Sequence, residues 1–203
     1  MKKTILSLLL LSFSVLLTAQ EPDKRKEVGI VFSNADNFGL TYKTGTEKSL
    51  WRFTTLIISG YNHEESSDSL ATLFSTMGLG VKIGKEFLTH ISDHLELRIG
   101  ADLSFSYSRS LTETNDKTPP DNDRKVEQTT YRPGINFVMG VNYILNHNLA
   151  IGAEILPHFS YSTGKIHETS PGTHNGMSVD SDLSGYNYGI SNQSVMVSIT
   201  YRF

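Results

Sequence analysis

From Asn192 to Phe203 the chain alternates with a period of two. Val195, Val197, Ile199, Tyr201 and Phe203 fall on one face. Ser194, Ser198, Thr200 and Arg202 fall on the other, with Met196 as the single apolar intruder. Successive side chains of an extended chain point to opposite sides, so this rhythm is a strand signature. It recurs upstream and predicts eight strands: Glu27–Ser33, Phe38–Lys43, Leu50–Asn62, Ser75–Phe87, Leu95–Arg109, Thr130–Leu145, Leu149–Thr163 and Asn187–Phe203. Asn34–Asn37 reads as a short turn within the first hairpin.

The contents of the two faces decide the class. In the fifth segment Leu95, Leu97, Ile99, Ala101, Leu103, Phe105 and Tyr107 oppose Glu96, Arg98, Gly100, Asp102, Ser104, Ser106 and Ser108. The polar face is mostly Gly, Ser, Thr, Asn and single charges, small enough to line a narrow lumen. The apolar face carries aromatics at both strand ends. Trp51, Phe87, Tyr143, Tyr201 and Phe203 fall at one end, and Tyr61, Tyr107, Tyr131 and Tyr161 at the other. These rings form two belts about 25 Å apart, the height of a lipid-facing band. Tyr and Trp favour such boundaries because one end of the ring is apolar and the other wet. A soluble β-domain would not order its aromatics by strand direction. The fold class expected is all-β, a transmembrane antiparallel up-and-down β-barrel of eight strands. Short connections at Thr44–Ser49, Thr89–His94 and Asn146–Asn148 alternate with long polar ones at His63–Phe74, Ser110–Thr129 and Gly164–Tyr186, as turns and loops do in such barrels.

The start of the chain agrees with export. Met1-Lys2-Lys3, the apolar run Ile5–Leu17 and Thr18-Ala19-Gln20 have the form of a signal peptide over residues 1–19. The run is too short for a spanning helix, which needs about 20 apolar residues. Residues 20–26 read as a short charged tail and 27–203 as the barrel. Net charge is −3, and losing Lys2 and Lys3 makes it more negative, which argues against nucleic acid as a partner. Cysteine is absent, which leaves no disulfide framework, thiolate metal site or lipid-attachment Cys.

Thr18-Ala19-Gln20, Phe38-Gly39-Leu40-Thr41-Tyr42-Lys43, Leu50-Trp51-Arg52 and the terminal Tyr201-Arg202-Phe203 together resemble small eight-stranded outer-membrane barrels of the Bacteroidota, broadly similar to the OmpX and OmpW types. The resemblance implies an integral bacterial outer-membrane protein with both termini in the periplasm. It implies outer-membrane lipid, lipopolysaccharide included, as surroundings. It also implies a barrel assembly machinery that reads Phe203 as its signal. A monomer without cofactor is expected, with outer loops free to meet a surface ligand. Activity stays open, because such barrels include channels, adhesion factors, enzymes and stabilisers.

Three motifs bear on chemistry. Pro157-His158-Phe159-Ser160 resembles the His-x-Ser pair of lipid A deacylases, where His is base to a Ser nucleophile. In those enzymes the pair faces lipid. Here alternation puts His158 and Ser160 with Gly152, Glu154 and Ser162 on the lumen side, unless a bulge at Pro157 turns the register. His167, His174, Glu168, Asp180 and Asp182 share a loop, but their spacing matches no metal signature, so no metal is expected. Gly78, Gly80 and Gly84 lie mid-strand with no helix behind them, which excludes a phosphate loop.

The inward charges carry more weight. Lys43, Arg52, Lys82, Arg98, Arg132 and Arg202 share the lumen face with Glu86, Glu96, Asp102 and Glu154. An eight-stranded barrel is narrow enough to be filled by its own side chains, and a buried charge without a partner costs several kcal/mol. An ion-pair network is expected, with Lys82 diagonal to Asp102 and Glu86 diagonal to Arg98. The function expected is non-enzymatic: membrane integrity, or surface contacts through the loops, around a plugged lumen. The alternatives are a narrow channel for small solutes and a lipid A hydrolase using His158 and Ser160.

Overall fold

The computed structural model describes residues 24–33, 38–67, 70–116, 123–170, 177–191 and 194–203; the signal segment, the turn at 34–37, His174 and Asn192 lie outside the described residues. Among the described residues ten antiparallel strands follow one another: β1 (Arg25–Phe32), β2 (Phe38–Gly45), β3 (Ser49–Ser66), β4 (Leu70–Ser92), β5 (Leu95–Asp116), β6 (Arg124–Ile144), β7 (Leu149–Ile155), β8 (His158–Ser170), β9 (Met177–Gly189) and β10 (Val195–Arg202). No helix among the described residues is long and apolar enough to cross a membrane.

Ten strands stand where eight were expected, because the last two segments are each interrupted. Leu156 and Pro157 separate β7 from β8, and residues 190–194 separate β9 from β10. Neighbour pairing from β1 through β7, then β7 to β10 and β10 to β1, closes a ring. The seam between the first and last strands is tied at its end by two backbone bonds, Phe203 N–H to Lys26 O at 3.0 Å and Lys26 N–H to Phe203 O at 3.2 Å. Above the ring, β8 continues along β6, while β9 pairs with β8 alone among the described residues.

The three long connections prove to be mostly strand. β3 and β4 run to Ser66 and from Leu70, β5 and β6 to Asp116 and from Arg124, and β8 and β9 to Ser170 and from Met177. Polarity on both faces removes the alternation that marks a strand in sequence. Cross-strand charges hold these extensions instead: Arg109 to Glu127 at 2.8 Å, Lys125 to Glu113 at 2.7 Å and Arg124 to Glu168 at 2.7 Å.

The usual arrangement of inside and outside is inverted. Leu103 is 67% exposed and Phe137 59%, whereas Arg52 and Arg98 are 1% and 0% exposed. A wall of exposed apolar side chains around buried charge suits lipid outside and a polar lumen inside. The aromatics placed in the lower belt, Trp51, Phe87, Tyr143, Tyr201 and Phe203, are all exposed on this wall. At the upper edge Tyr107 and Tyr131 pair with ring centres 5.5 Å apart, and Tyr161 meets Tyr186 at 5.2 Å. The Tyr61 side chain lies outside what the structure describes.

A charged network inside the ring

Period-two alternation in β1, β2, β3, β4, β5, β7 and β10 points one charged side chain after another into the ring, near the end that carries the short turns. Arg98 sits at the centre. Its Nη1 donates to Glu27 Oε2 at 3.0 Å and to Glu86 Oε1, and its Nη2 to Glu27 Oε1 at 2.9 Å and Glu96 Oε2 at 3.1 Å. With its amide oriented to satisfy both atoms, Asn142 also accepts from Arg98 Nε at 3.2 Å. Glu86 receives Lys43 at 3.1 Å and Arg52 Nη1 at 3.0 Å. Glu154 receives Arg52 Nη2 at 2.8 Å and Lys43 at 3.4 Å. Below them Glu96 is gripped by Arg25 and by Arg202, Nη2 to Oε2 at 2.9 and 2.8 Å respectively. Arg25 further donates to Glu27 and to the exposed Glu47.

The carboxylates Glu27, Glu86, Glu96 and Glu154 thus each meet at least two cations, all of them strand-borne. The side chains of Lys43, Arg52, Arg98, Glu27, Glu86 and Glu96 are essentially removed from solvent. Over this network lies a small apolar collar of Val31, Val138, Leu156 and Met196. Met196, which breaks the alternation of the last strand, therefore fills the lumen. Beneath the network a cavity of about 770 Å³ is lined by Arg25, Glu47, His90, Glu96, His147 and Arg202 among others.

Of the residues expected to share the network, Arg52, Glu86, Glu96, Arg98, Glu154 and Arg202 are joined directly. Asp102 lies against Arg52, Oδ1 to Nε at 3.2 Å, and not against Lys82 as the diagonal suggested. Lys82 donates to Met196 Sδ at 3.7 Å. Arg132 stands apart: it has the inward parity, yet it is exposed and donates to Ser162 Oγ at 3.0 Å. The buried charges lie near the base of the ring, so parity alone does not bury a side chain higher up. Arg25 falls in the run 20–26 that reads as a tail, whereas Glu27 opens the first predicted strand without being counted among its inward charges. The available signal was the alternation itself, which continues backward through Glu27 to Arg25.

The register settles the face of His158 and Ser160. Met139 pairs Ile155 and Asn136 pairs His158, so β6 meets β7 and β8 without a slip across Pro157. Ser160 is buried on the lumen side, and its Oγ has no hydrogen-bond partner. The ring nitrogens of His158 lie 3.3 Å from Ser194 Oγ and 3.2 Å from Asn187 Oδ1. They stitch the two strand breaks together and do not reach Ser160. His167 bonds Asp180 at 2.6 Å and Thr169 at 3.2 Å, and Glu168 is taken by Arg124. Among the described residues no group of three or more such side chains is placed to hold a metal ion.

A closed antiparallel ring, apolar outside and charged within, defines an outer-membrane β-barrel. Residues 25–203 match the Putative OmpA-OmpF-like porin family, and the chain belongs to that family. No curated protein matches. Among solved structures, the chain is similar to a major outer membrane protein from Thermus thermophilus, with 8% identity, a TM-score of 0.54 and coverage of 89% of this chain and 99% of that one. It also matches Ail, the attachment invasion locus protein of Yersinia pestis, with 12% identity, a TM-score of 0.38 and coverage of 91% and 100%. A third match is CarO of Acinetobacter baumannii, with 10% identity, a TM-score of 0.33 and coverage of 89% and 96%.

Proposed function

We propose that this barrel is a non-conducting, non-enzymatic protein that serves membrane integrity and surface contact. The carrying observation is the seal. Arg25, Lys43, Arg52, Arg98 and Arg202 interlock with Glu27, Glu86, Glu96 and Glu154 across the lumen. An ion moving along the axis must break several of these bonds, and one-sided loss of a buried pair costs about 3–5 kcal/mol. In this reading both termini and the short turns face the periplasm. The monomer sits among lipid and lipopolysaccharide, and the assembly machinery recognises Phe203. The strand extensions, with the edge of β9 that has no partner strand among the described residues, present the surface that meets other molecules. Conductance in planar bilayers tests the reading: the wild type stays silent, and steady single-channel current would replace it with the narrow channel. Lipid A mass spectra of cells with and without the protein test the non-enzymatic part, and the loss of an acyl chain only in cells carrying it would overturn that part.

A further inference from the structure

The outer wall of the ring is nearly free of charge. From the short turns up to Tyr107 and Tyr131, the outward positions of the described ring strands hold no carboxylate and only two cations, Lys26 and Lys85. Lys26 is buried at the base, where its backbone bonds that of Phe203. Lys85 stands higher on β4, between Ile83 and Phe87. Its register partners are Trp51 on β3 and Ala101 on β5.

A lysine on a lipid-facing wall is costly at the bilayer midplane and nearly free at its edge. Its flexible stem therefore carries the ammonium toward the nearer boundary. Lys85 does this. Its Nζ lies 5.6 Å from the ring centre of Trp51 and 5.7 Å from that of Phe87, two aromatics of the lower belt. The rings attract the cation through their negative faces, but they offer no lone pair to its three N–H groups. Among the described residues no carboxylate pairs with Lys85, and the Trp51 indole N–H meets no acceptor. Both rings are open to the outside, Trp51 by 51% and Phe87 by 59%.

Two donors without acceptors, one of them charged, thus stand side by side on a face turned to lipid. We propose that Lys85, Trp51 and Phe87 form a site for an anionic phospholipid of the leaflet beside the short turns. Lys85 Nζ holds the phosphate, the Trp51 N–H is a second donor to it, and the exposed ring of Phe87 packs against the first methylenes. No carboxylate on this face repels the phosphate. A zwitterionic headgroup brings its own cation to a site that already carries one, so a headgroup with net negative charge binds better. Ala101 is the short side chain beside Lys85, with the exposed Ile99, Leu103 and Phe137 around it, and the wall there has room for an acyl chain. The inference rests on the lipid-facing wall and not on the closed lumen.

Trp51 is the only tryptophan in the chain, so its fluorescence reports on this site alone. The full barrel is refolded into phosphatidylcholine vesicles containing a fixed fraction of either dibrominated phosphatidylglycerol or dibrominated phosphatidylcholine, whose bromines quench tryptophan on contact. Quenching should show a preference of about five-fold for phosphatidylglycerol, the effect of one lysine beside an anionic headgroup. Lys85→Met keeps an apolar stem on the wall, so the fold, checked by heat-modifiable gel mobility, persists while the preference disappears. Lys85→Arg retains it. Inorganic phosphate lowers the preference no more than sodium chloride of equal ionic strength. The proposal is overturned if the two lipids quench the wild type equally, or if folded Lys85→Met keeps the preference. A specific loss to inorganic phosphate would also overturn it, by showing a site for the free ion. None of these outcomes depends on whether the lumen conducts.

Discussion

Glu86 shows best how charge is tolerated inside this ring. It accepts from Lys43, Arg52 and Arg98, each itself buried and each shared with another carboxylate. Glu86→Ala therefore leaves three cations short of counter-charge. The expected loss is about 3–5 kcal/mol, read from denaturant unfolding in micelles. Arg132→Ala removes an exposed side chain with one neutral partner, and the expected change is below about 1 kcal/mol. Equal losses at the two positions would contradict the seal. The residue scale also shows the reach of alternation. It identifies the inward face of Arg52, Glu86, Arg98 and Glu154 directly, because parity is a local property of an extended chain. It does not say how high the lumen is filled, which depends on how distant strands meet. Arg132 was misplaced for that reason, and the collar position of Val138 was not seen.

Among the elements, the β1–β10 seam and the strand extensions carry separate expectations. Phe203 closes the seam through its backbone, while its ring stacks on Tyr201 at 6.3 Å on the outer wall. Phe203→Ala keeps both seam bonds. If the ring is the assembly signal, this variant reaches the membrane in lower yield but unfolds like the wild type once inserted. Normal yield would remove Phe203 from that role. The extensions beyond Tyr107 and Tyr131 rest on exposed pairs instead. Arg109, hydrogen-bonded to Glu127, holds that carboxyl below its usual range. A depressed folded value means that the pair supports the fold above the ordinary carboxylate range, and that its support is lost as pH falls through the lowered value. Acidification should therefore weaken cross-strand NMR contacts between residues 109–113 and 124–129 before those of the ring change. Simultaneous loss in both places would show that the extension is not an independent unit. These extensions were illegible in the sequence because Ser, Thr, Glu and Lys on two wet faces look like loop. What makes them strand is a partner strand, and no window of sequence contains that.

Viewed whole, the molecule is an inverted protein: its apolar surface faces outward and its charges form the core. That inversion explains why location and fold follow from periodicity and aromatic placement, whereas activity does not. The interruption at Pro157 illustrates the difference. Proline removes one ladder donor, yet Phe137 N–H still bonds Pro157 O at 2.8 Å and the register continues unchanged. Sequence could flag the break but not its consequence. The central claim is that the interlocked charges close the lumen, and ion flow measures that directly. In planar bilayers the wild-type barrel should give no steady conductance, while Glu86→Ala, verified as folded, should open discrete current steps. A wild type that conducts steadily, with Glu86→Ala no different, would contradict the account.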